Sequence, residues 1–281
     1  RLGNLTRASE RLHLSQPAVS GQLKAAEAEL GLQLFERTST GMSLTRAGRL
    51  LLERAERIVG AMSDLLAEAR ALRGEVAGRL RLGTIIDPEY LRLGRLLRDM
   101  VERHPLIEIE TCHGISGWVI EQVACGAVDA GFCLGDIGHA ELATLQLASV
   151  PYRIVAPPAW QAAIGGAEWP EVAAMPWIWT THHSSHNRIV CQLFDRRGLA
   201  PARRVVVADQ EATMRSLVAA CVGLSIMRAD LADAAETAGE LCVWRRADFT
   251  IPLSFIHLAA RDDEAPIRAL AAAVRDTWAA V

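Results

Sequence analysis

No stretch of this chain approaches the ~18 consecutive apolar residues of a membrane-spanning helix, and no signal peptide is visible, so a cytoplasmic protein without a membrane partner is expected. Cysteine motifs are missing as well. Cys112, Cys125, Cys133, Cys191, Cys221 and Cys242 are scattered with no C-x-x-C spacing, which excludes a zinc ribbon and a disulfide-stapled secreted fold and leaves buried free thiols. The chain has no G-x-S-x-G elbow, no Gly-rich phosphate loop and no H-E-x-x-H, and its Ser, His and Asp residues show no triad-like spacing. Neither an enzyme nor a bound cofactor is expected. Positive charge is also in short supply: the 281 residues carry a net −3, which taken whole argues against a nucleic-acid partner.

The distribution of charge reverses that last inference. Residues 1–50 hold seven basic against four acidic side chains, a net +3, leaving −6 on the other 231. A basic module on an acidic body fits DNA at one end and something else at the other. Because +3 is modest, tight binding needs more than one copy of the module. The length suits about two domains, and 51% hydrophobic residues are ample for buried cores.

The basic region is organised around Ser15-Gln16-Pro17-Ala18-Val19-Ser20-Gly21-Gln22-Leu23-Lys24. Ser15 is a good N-cap, and Pro17 near the first helical position sacrifices no hydrogen bond, so a helix starts here. Val19, Leu23, Ala26 and Leu30 step by four, three and four, forming a packing stripe, while Gln16, Ser20, Gln22 and Lys24 fall away from it. A shorter helix marked by Leu5, Ala8, Leu12 and Leu14, capped by Thr6 or Asn4, precedes it. Two short helices with a tight turn, the second bearing Ser, Gln and Lys near its start, read as a helix-turn-helix. Gly31 ends the second helix as a left-handed cap. Leu32, Leu34 and Phe35, then Met42 and Leu44, make a two-stranded wing, with Arg37, Thr38, Ser39 and Thr40 at its tip able to reach phosphate oxygens.

The segment ASERLHLSQPAVSGQLKAAEAELGLQLFERTSTGMSLTRAGRLLL resembles the winged helix-turn-helix of LysR-type transcriptional regulators nearly residue for residue. Two positions depart from the family pattern: Ala26 stands where a leucine is usual, and Gly21 replaces a common arginine. The resemblance places Arg1 in the loop after the family's first helix, so that helix is expected to be missing and the native protein longer. It implies a double-stranded DNA partner, with Gln16, Ala18, Ser20 and Gln22 at base edges. Lys24, Arg37, Thr38, Ser39 and Thr40 would hold phosphates, joined by Thr6 at the preceding helix start.

From Thr45 a single long helix is expected, running to Arg73 and about 40 Å long at ~1.5 Å per residue. Leu51, Ala55, Ile58, Met62, Leu65, Ala69 and Leu72 alternate steps of four and three, an unbroken heptad seam. Nothing else in the chain is long enough to hide that seam, so its expected partner is a second copy. The alternative is burial against the chain's own second domain. A homodimer places two reading heads at a fixed separation, matching a dyad-related DNA site, and the family commonly assembles further into a homotetramer.

Gly74 and Gly78 suggest a hinge. Beyond it, strands expected over Arg79–Thr84, Ile107–Thr111 and Ala130–Cys133 alternate with helices over Pro88–Arg103 and Ser116–Cys125, an order that implies a parallel sheet. A second set of strands and helices follows Pro151, and Pro252–Ala259 and Pro266–Trp278 close the chain. Two α/β lobes joined by crossing strands are what the LysR-type effector domain looks like, built like a periplasmic solute-binding protein. The expected organisation is a winged helix-turn-helix over 1–44, a linker helix over 45–73 and a hinge over 74–78. Lobe I then takes 79–150 with 252–281, and lobe II takes 151–251.

Ligands of open parallel sheets lie beyond the carboxyl ends of the strands, near helix N-termini. Thr84, Ser116, Cys133, Thr181, Ser185 and Asp209 fall at such positions and are the expected effector-binding residues. The hydroxyls suit a small carboxylate; Asp87 beside them suits an amine-bearing or amino-acid effector better. Each hydroxyl is equally readable as a helix cap, and Ser116 and Asp87 are expected to cap the helices that follow them. Other readings keep this architecture but sense a metal through His182, His183 and His186, with Cys191 as a fourth ligand, or redox state through Cys133. A solute-binding module with no DNA function is the competing class, and the Thr6–Leu44 pattern argues against it.

Overall fold

The computed structural model describes residues 4–38, 41–71, 76–201 and 203–279. The chain forms two compact units, Arg1–Glu68 and Ala69–Val281.

In the first unit, α1 (Leu5–Leu12) begins where Asn4 accepts the Thr6 N–H at 2.7 Å, so Asn4 rather than Thr6 is the cap. The helix stops at His13, in the left-handed region at φ +53°. Ser15 Oγ accepts the Ala18 N–H at 3.3 Å to start α2 (Gln16–Leu30), which ends on Gly31 at φ +65°. An antiparallel wing of β1 (Phe35–Thr38) and β2 (Gly41–Leu44) follows. Glu27 Oε1 accepts the N–H groups of Leu34 and Phe35 at 2.8 and 3.2 Å, which ties α2 to the wing. Thr45 Oγ1 accepts the Gly48 N–H at 3.0 Å and so caps α3 (Arg46–Ala71). Gly48 is required there: a Cβ would stand 2.1 Å from the Leu34 carbonyl oxygen. Residues 72–75, including Leu72 and Gly74, lie outside the described residues.

Leu30, expected on the packing stripe of α2, is 51% exposed, and Leu12 and Leu14, which mark the first helix, are 57% and 43% exposed. Two short helices and a hairpin meet over one shallow face, and these leucines sit at its margins.

The second unit opens with β3 (Ala77–Thr84), α4 (Leu93–Arg103), β4 (Leu106–His113), α5 (Ser116–Ala124) and β5 (Ala130–Leu134), with β4 and β5 parallel to β3. Gly78, expected in the hinge, is paired with Ile107 inside β3. Helix α4 starts five residues after Pro88: Asp87 caps a turn instead, accepting the Glu89 N–H at 2.9 Å. Then come β6 (Leu142–Ala156), α6 (Gln161–Gly165), α7 (Trp169–Ala174), β7 (Pro176–Trp179), α8 (Ser185–Asp195), β8 (Arg203–Val207), α9 (Glu211–Ala219), β9 (Ser225–Arg228), α10 (Ala229–Thr237), β10 (Cys242–Leu258) and α11 (Ala265–Ala279).

The main sheet has the order β4-β3-β5-β10-β6-β9 and is mixed, not purely parallel, because β10 runs antiparallel to both β5 and β6. Strands β6 and β10 are 15 and 17 residues long and pair with each other as they pass from one lobe to the other. The parallel pair β7–β8 joins the second lobe through Ile178 N–H to Leu224 O and Leu224 N–H to Pro176 O, both 2.8 Å.

Each lobe has dense packing. Leu80, Leu82, Leu96, Met100, Ile267 and Leu270 are buried in the first, where Phe132 meets Phe255 edge-on at 5.7 Å. In the second, Trp169 contacts Trp244 and Phe194, and Trp177 contacts Phe194, at 4.7–5.6 Å. The indole N–H groups of Trp177 and Trp244 donate to the Val172 and Ala167 carbonyls, so burying these rings leaves no lost hydrogen bond. Beneath β3, the buried Asp129 accepts from Arg81 and Arg261. Burial would raise its carboxyl; the two guanidinium partners outweigh that and hold it below its usual range.

Candidate functional site

The first unit presents α2 outward. Gln16, Ala18, Gln22 and Lys24 are exposed, while Val19, Leu23 and Ala26 are half-buried beneath them; Ser20 is half-buried at the edge. Thr6, at the start of α1, and Thr38, at the end of β1, are exposed as well. Arg37 lies in β1, and Ser39 and Thr40 lie outside the described residues.

Along α3 the heptad positions Ile58, Met62 and Leu65 are 71%, 58% and 59% exposed, Ala55 is exposed and Leu51 half-buried. Ala69 lies in α3.

In the second unit a cleft of about 550 Å³ opens between the lobes. Its walls are the segment after β3 (Ile85–Pro88), the start of α5 (His113–Ser116), the start of α8 (Ser184–His186) and the start of α9 (Asp209–Ala212). Three helix N-termini thus face one space, and none carries a side-chain cap of its own. Gly117 allows the close approach: its N–H donates to the His183 carbonyl at 3.1 Å, and a Cβ there would stand 2.1 Å from that oxygen.

Three of the six expected effector residues line this cleft: Ser116, Ser185 and Asp209. Ser116 does not cap its own helix. Its Oγ accepts the Leu134 N–H at 3.0 Å and stands 3.4 Å from Ser185 Oγ, a hydroxyl pair bridging the lobes. The other three are placed elsewhere. Thr84 is buried in the sheet, its hydroxyl 3.4 Å from the Cys112 carbonyl, because its strand side points into the core. Thr181 uses its N–H and hydroxyl on Asp209 Oδ1 at 3.0 and 3.2 Å. Cys133 is buried in mid-sheet opposite Ser254, and burial pushes its thiol up to about 12, which removes the thiolate that redox sensing requires.

The three imidazoles of the His182–His186 loop diverge. The His182 and His183 rings meet tilted at 3.9 Å near the surface, His183 Nδ1 lies 3.2 Å from Glu121, and His186 turns inward against Tyr152 at 5.3 Å. Cys191 donates to Asn187 Oδ1. Among the described residues no three His, Cys, Asp or Glu side chains are grouped to hold a metal. The buried-thiol expectation needs correction as well: Cys125 and Cys221 are exposed, and only Cys133 and Cys242 are fully buried.

Sequence reasoning missed His186 and Glu211 of the cleft and Arg228 behind them. His186 has its Nε2 sealed without a partner, and burial pushes the ring down to about 4. Glu211 opens α9; burial raises its carboxyl against the opposing pull of Arg228, and its Oε1 is likewise unpartnered. Arg228, 2% exposed, pairs with Asp230 at 2.8–2.9 Å, lies 4.2 Å from the Tyr90 ring and reaches Asp87 at 3.8 Å, clasping one lobe to the other. Asp87, Asp209 and Glu211 line the cleft, and no Lys or Arg does.

Comparison with known proteins agrees with this architecture. Residues 1–49 match the family described as bacterial regulatory helix-turn-helix protein, lysR family, and residues 73–279 match the LysR substrate binding domain. The HTH-type transcriptional regulator IlvR of Caulobacter vibrioides is 32% identical over 230 residues, 80% of this chain and 77% of that protein. CfxR of Cupriavidus necator is 26% identical, covering 81% of this chain and 71% of that one. Among solved structures, full-length CbnR complexed with its target DNA has a TM-score of 0.67 at 24% identity, covering 98% of this chain and 94% of that one. No helix among the described residues is long and apolar enough to cross a membrane. The chain is a member of the LysR family, DNA-binding transcriptional regulators that carry an effector-binding domain.

Proposed function

We propose that this regulator works in the cytoplasm as a homodimer, or a pair of dimers, joined along the α3 seam. The paired α2 helices enter successive major grooves of a dyad-related site. Gln16, Ala18, Ser20 and Gln22 read base edges, and Lys24, Arg37, Thr38, Ser39, Thr40 and Thr6 hold phosphates. The exposed polar face of α2, set over a packed apolar one, supports this reading. The exposed Ile58, Met62 and Leu65 support pairing, since an isolated chain leaves them in water.

The effector is an amine-bearing small molecule. Asp87, Asp209 and Glu211 carry this assignment: a bare carboxylate would meet three acids there, and Arg228, set behind the lining, is already taken by Asp230 and Asp87. Its ammonium lies at the acidic side, and a polar or carboxylate end meets the Ser116–Ser185 hydroxyl pair and the α5 and α8 N-termini. Occupancy stabilises one relative setting of the lobes and so shifts the assembly between two DNA-bound shapes. The test is a thermal-stability screen of amines, amino acids and carboxylates. An amine or amino acid should raise the melting temperature, and Asp87→Asn should remove that shift; a hit confined to simple carboxylates whose shift changes in Asp87→Asn would contradict the assignment.

A further inference from the structure

A second cavity, of about 220 Å³, lies along α8 and shares only Ser185 with the cleft. Its walls draw on both lobes: Gly135 and Asp136 after β5, one face of α8, and Phe249–Pro252 of β10. Positions Arg188, Gln192 and Arg196 form one ridge of that face at helical spacing, and Ile189 and Leu193 form the next.

Arg188 is the unusual member. It is half-buried, its Nη2 is sealed from water without an acceptor, and among the described residues it has no ion-pair partner. Arg81, Arg228 and Arg261, also withdrawn from solvent, each hold a carboxylate. A withdrawn cation left unpaired costs free energy that an arriving anion recovers, and the planar fork of a guanidinium matches a carboxylate. The opposite wall is apolar, made by Phe249 and Ile251 facing Ile189 and Leu193. Asp136 and Arg196 also line the cavity and are both exposed; their opposite charges offset, so the half-buried Arg188 sets the ligand's charge at a single negative one. At the ~30 Å³ share of a liquid water, the space holds roughly seven or eight non-hydrogen atoms.

We propose that this cavity is a second ligand site that takes a small monocarboxylate with an apolar body. Arg188 meets the carboxylate, the Ile189, Leu193, Phe249 and Ile251 wall takes the body, and the occupant bridges the lobes away from the acidic cleft.

The experiment titrates the full chain with sodium hexanoate by calorimetry at fixed ionic strength, with inorganic phosphate in a parallel arm. The wild type should take up one hexanoate per chain saturably, Arg188→Gln should raise its Kd at least tenfold, and phosphate should bind at least tenfold more weakly than hexanoate. Arg188→Met guards against a folding artefact: it should keep or raise the melting temperature while losing the hexanoate-induced shift. No saturable uptake by the wild type overturns the proposal, as does affinity unchanged in Arg188→Gln. Phosphate binding as tight as hexanoate removes the role of the apolar wall, and a Kd that follows Asp87→Asn instead puts the anion in the cleft; either result rejects the site.

Discussion

The two units of this regulator solve opposite problems. The effector unit closes on itself: Trp177, Trp179, Trp244, Phe132, Phe194 and Phe255 are buried, Trp118, Trp160, Trp169, Trp278 and Phe249 are half-buried, and its buried acid Asp129 is answered by two arginines. The reading unit leaves Leu12, Leu14, Leu30 and Leu32 in water, and α3 leaves Leu50, Ile58, Val59, Met62 and Leu65 exposed. A domain that must fold before it can sense keeps most of its apolar surface inside, although Val101, Leu106 and Val207 stay exposed. A module whose task is to meet DNA and a second copy carries part of its apolar surface outside. The contrast predicts that substitutions in the effector unit are felt as stability, and substitutions in the reading unit as association.

The largest effect should follow Asp129→Ala, which takes the shared carboxylate from Arg81 and Arg261 and leaves Arg261 with Glu264 and Arg81 with the Gly126 carbonyl. Removing one member of such a buried group costs on the order of 3–5 kcal/mol, seen as a lower denaturant midpoint of the effector unit. Next comes Ile58→Asp on α3: we expect about 3 kcal/mol of lost self-association, a more than hundredfold rise in the dimer Kd by sedimentation, with the effector unit's unfolding midpoint unmoved. A midpoint that fell with Ile58→Asp would erase the contrast.

The boundary between these behaviours also shows what the sequence made legible. Helix starts and stops at Asn4, Ser15, Gly31 and Thr45 were readable because a cap acts within three or four residues of itself. Strands β6 and β10 were not. Pro151 and Pro252 were read as strand boundaries, yet both lie inside long strands, Pro151 opposite Thr250 and Pro252 opposite Ser149, so the missing donors cluster where the pair passes between lobes. In the cleft, Ser116 and Ser185 were found because both stand at helix starts. Thr84 and Cys133 were misplaced because strand alternation turned them into the sheet, and His186 and Glu211 were overlooked because the groups that face them, Tyr152 and Arg228, are distant in sequence.

His186 offers a smaller and more specific test. Its folded pKa of about 4 lies below the unfolded value near 6.5, so between those values the unfolded chain binds more protons. The stability it supports is complete above pH 6.5 and lost as pH falls through that window toward 4, on the order of 2 kcal/mol. Denaturation at pH 7 and pH 4.5 should show this loss in the wild type and a smaller one in His186→Phe; equal losses would mean that the buried ring does not set the acid sensitivity. The smallest effect belongs to Lys24→Ala, about 1 kcal/mol of DNA affinity spread evenly over sequences, with the salt slope reduced by about one.

The account rests on paired heads reading duplex DNA, and selection from random-sequence duplexes with the intact chain at low salt tests it most directly. The enriched sites should be inverted repeats with half-sites one or more helical turns apart, bound with an affinity that falls steeply as salt rises. Recovery of no common site, or of a single half-site bound by one chain, would contradict it.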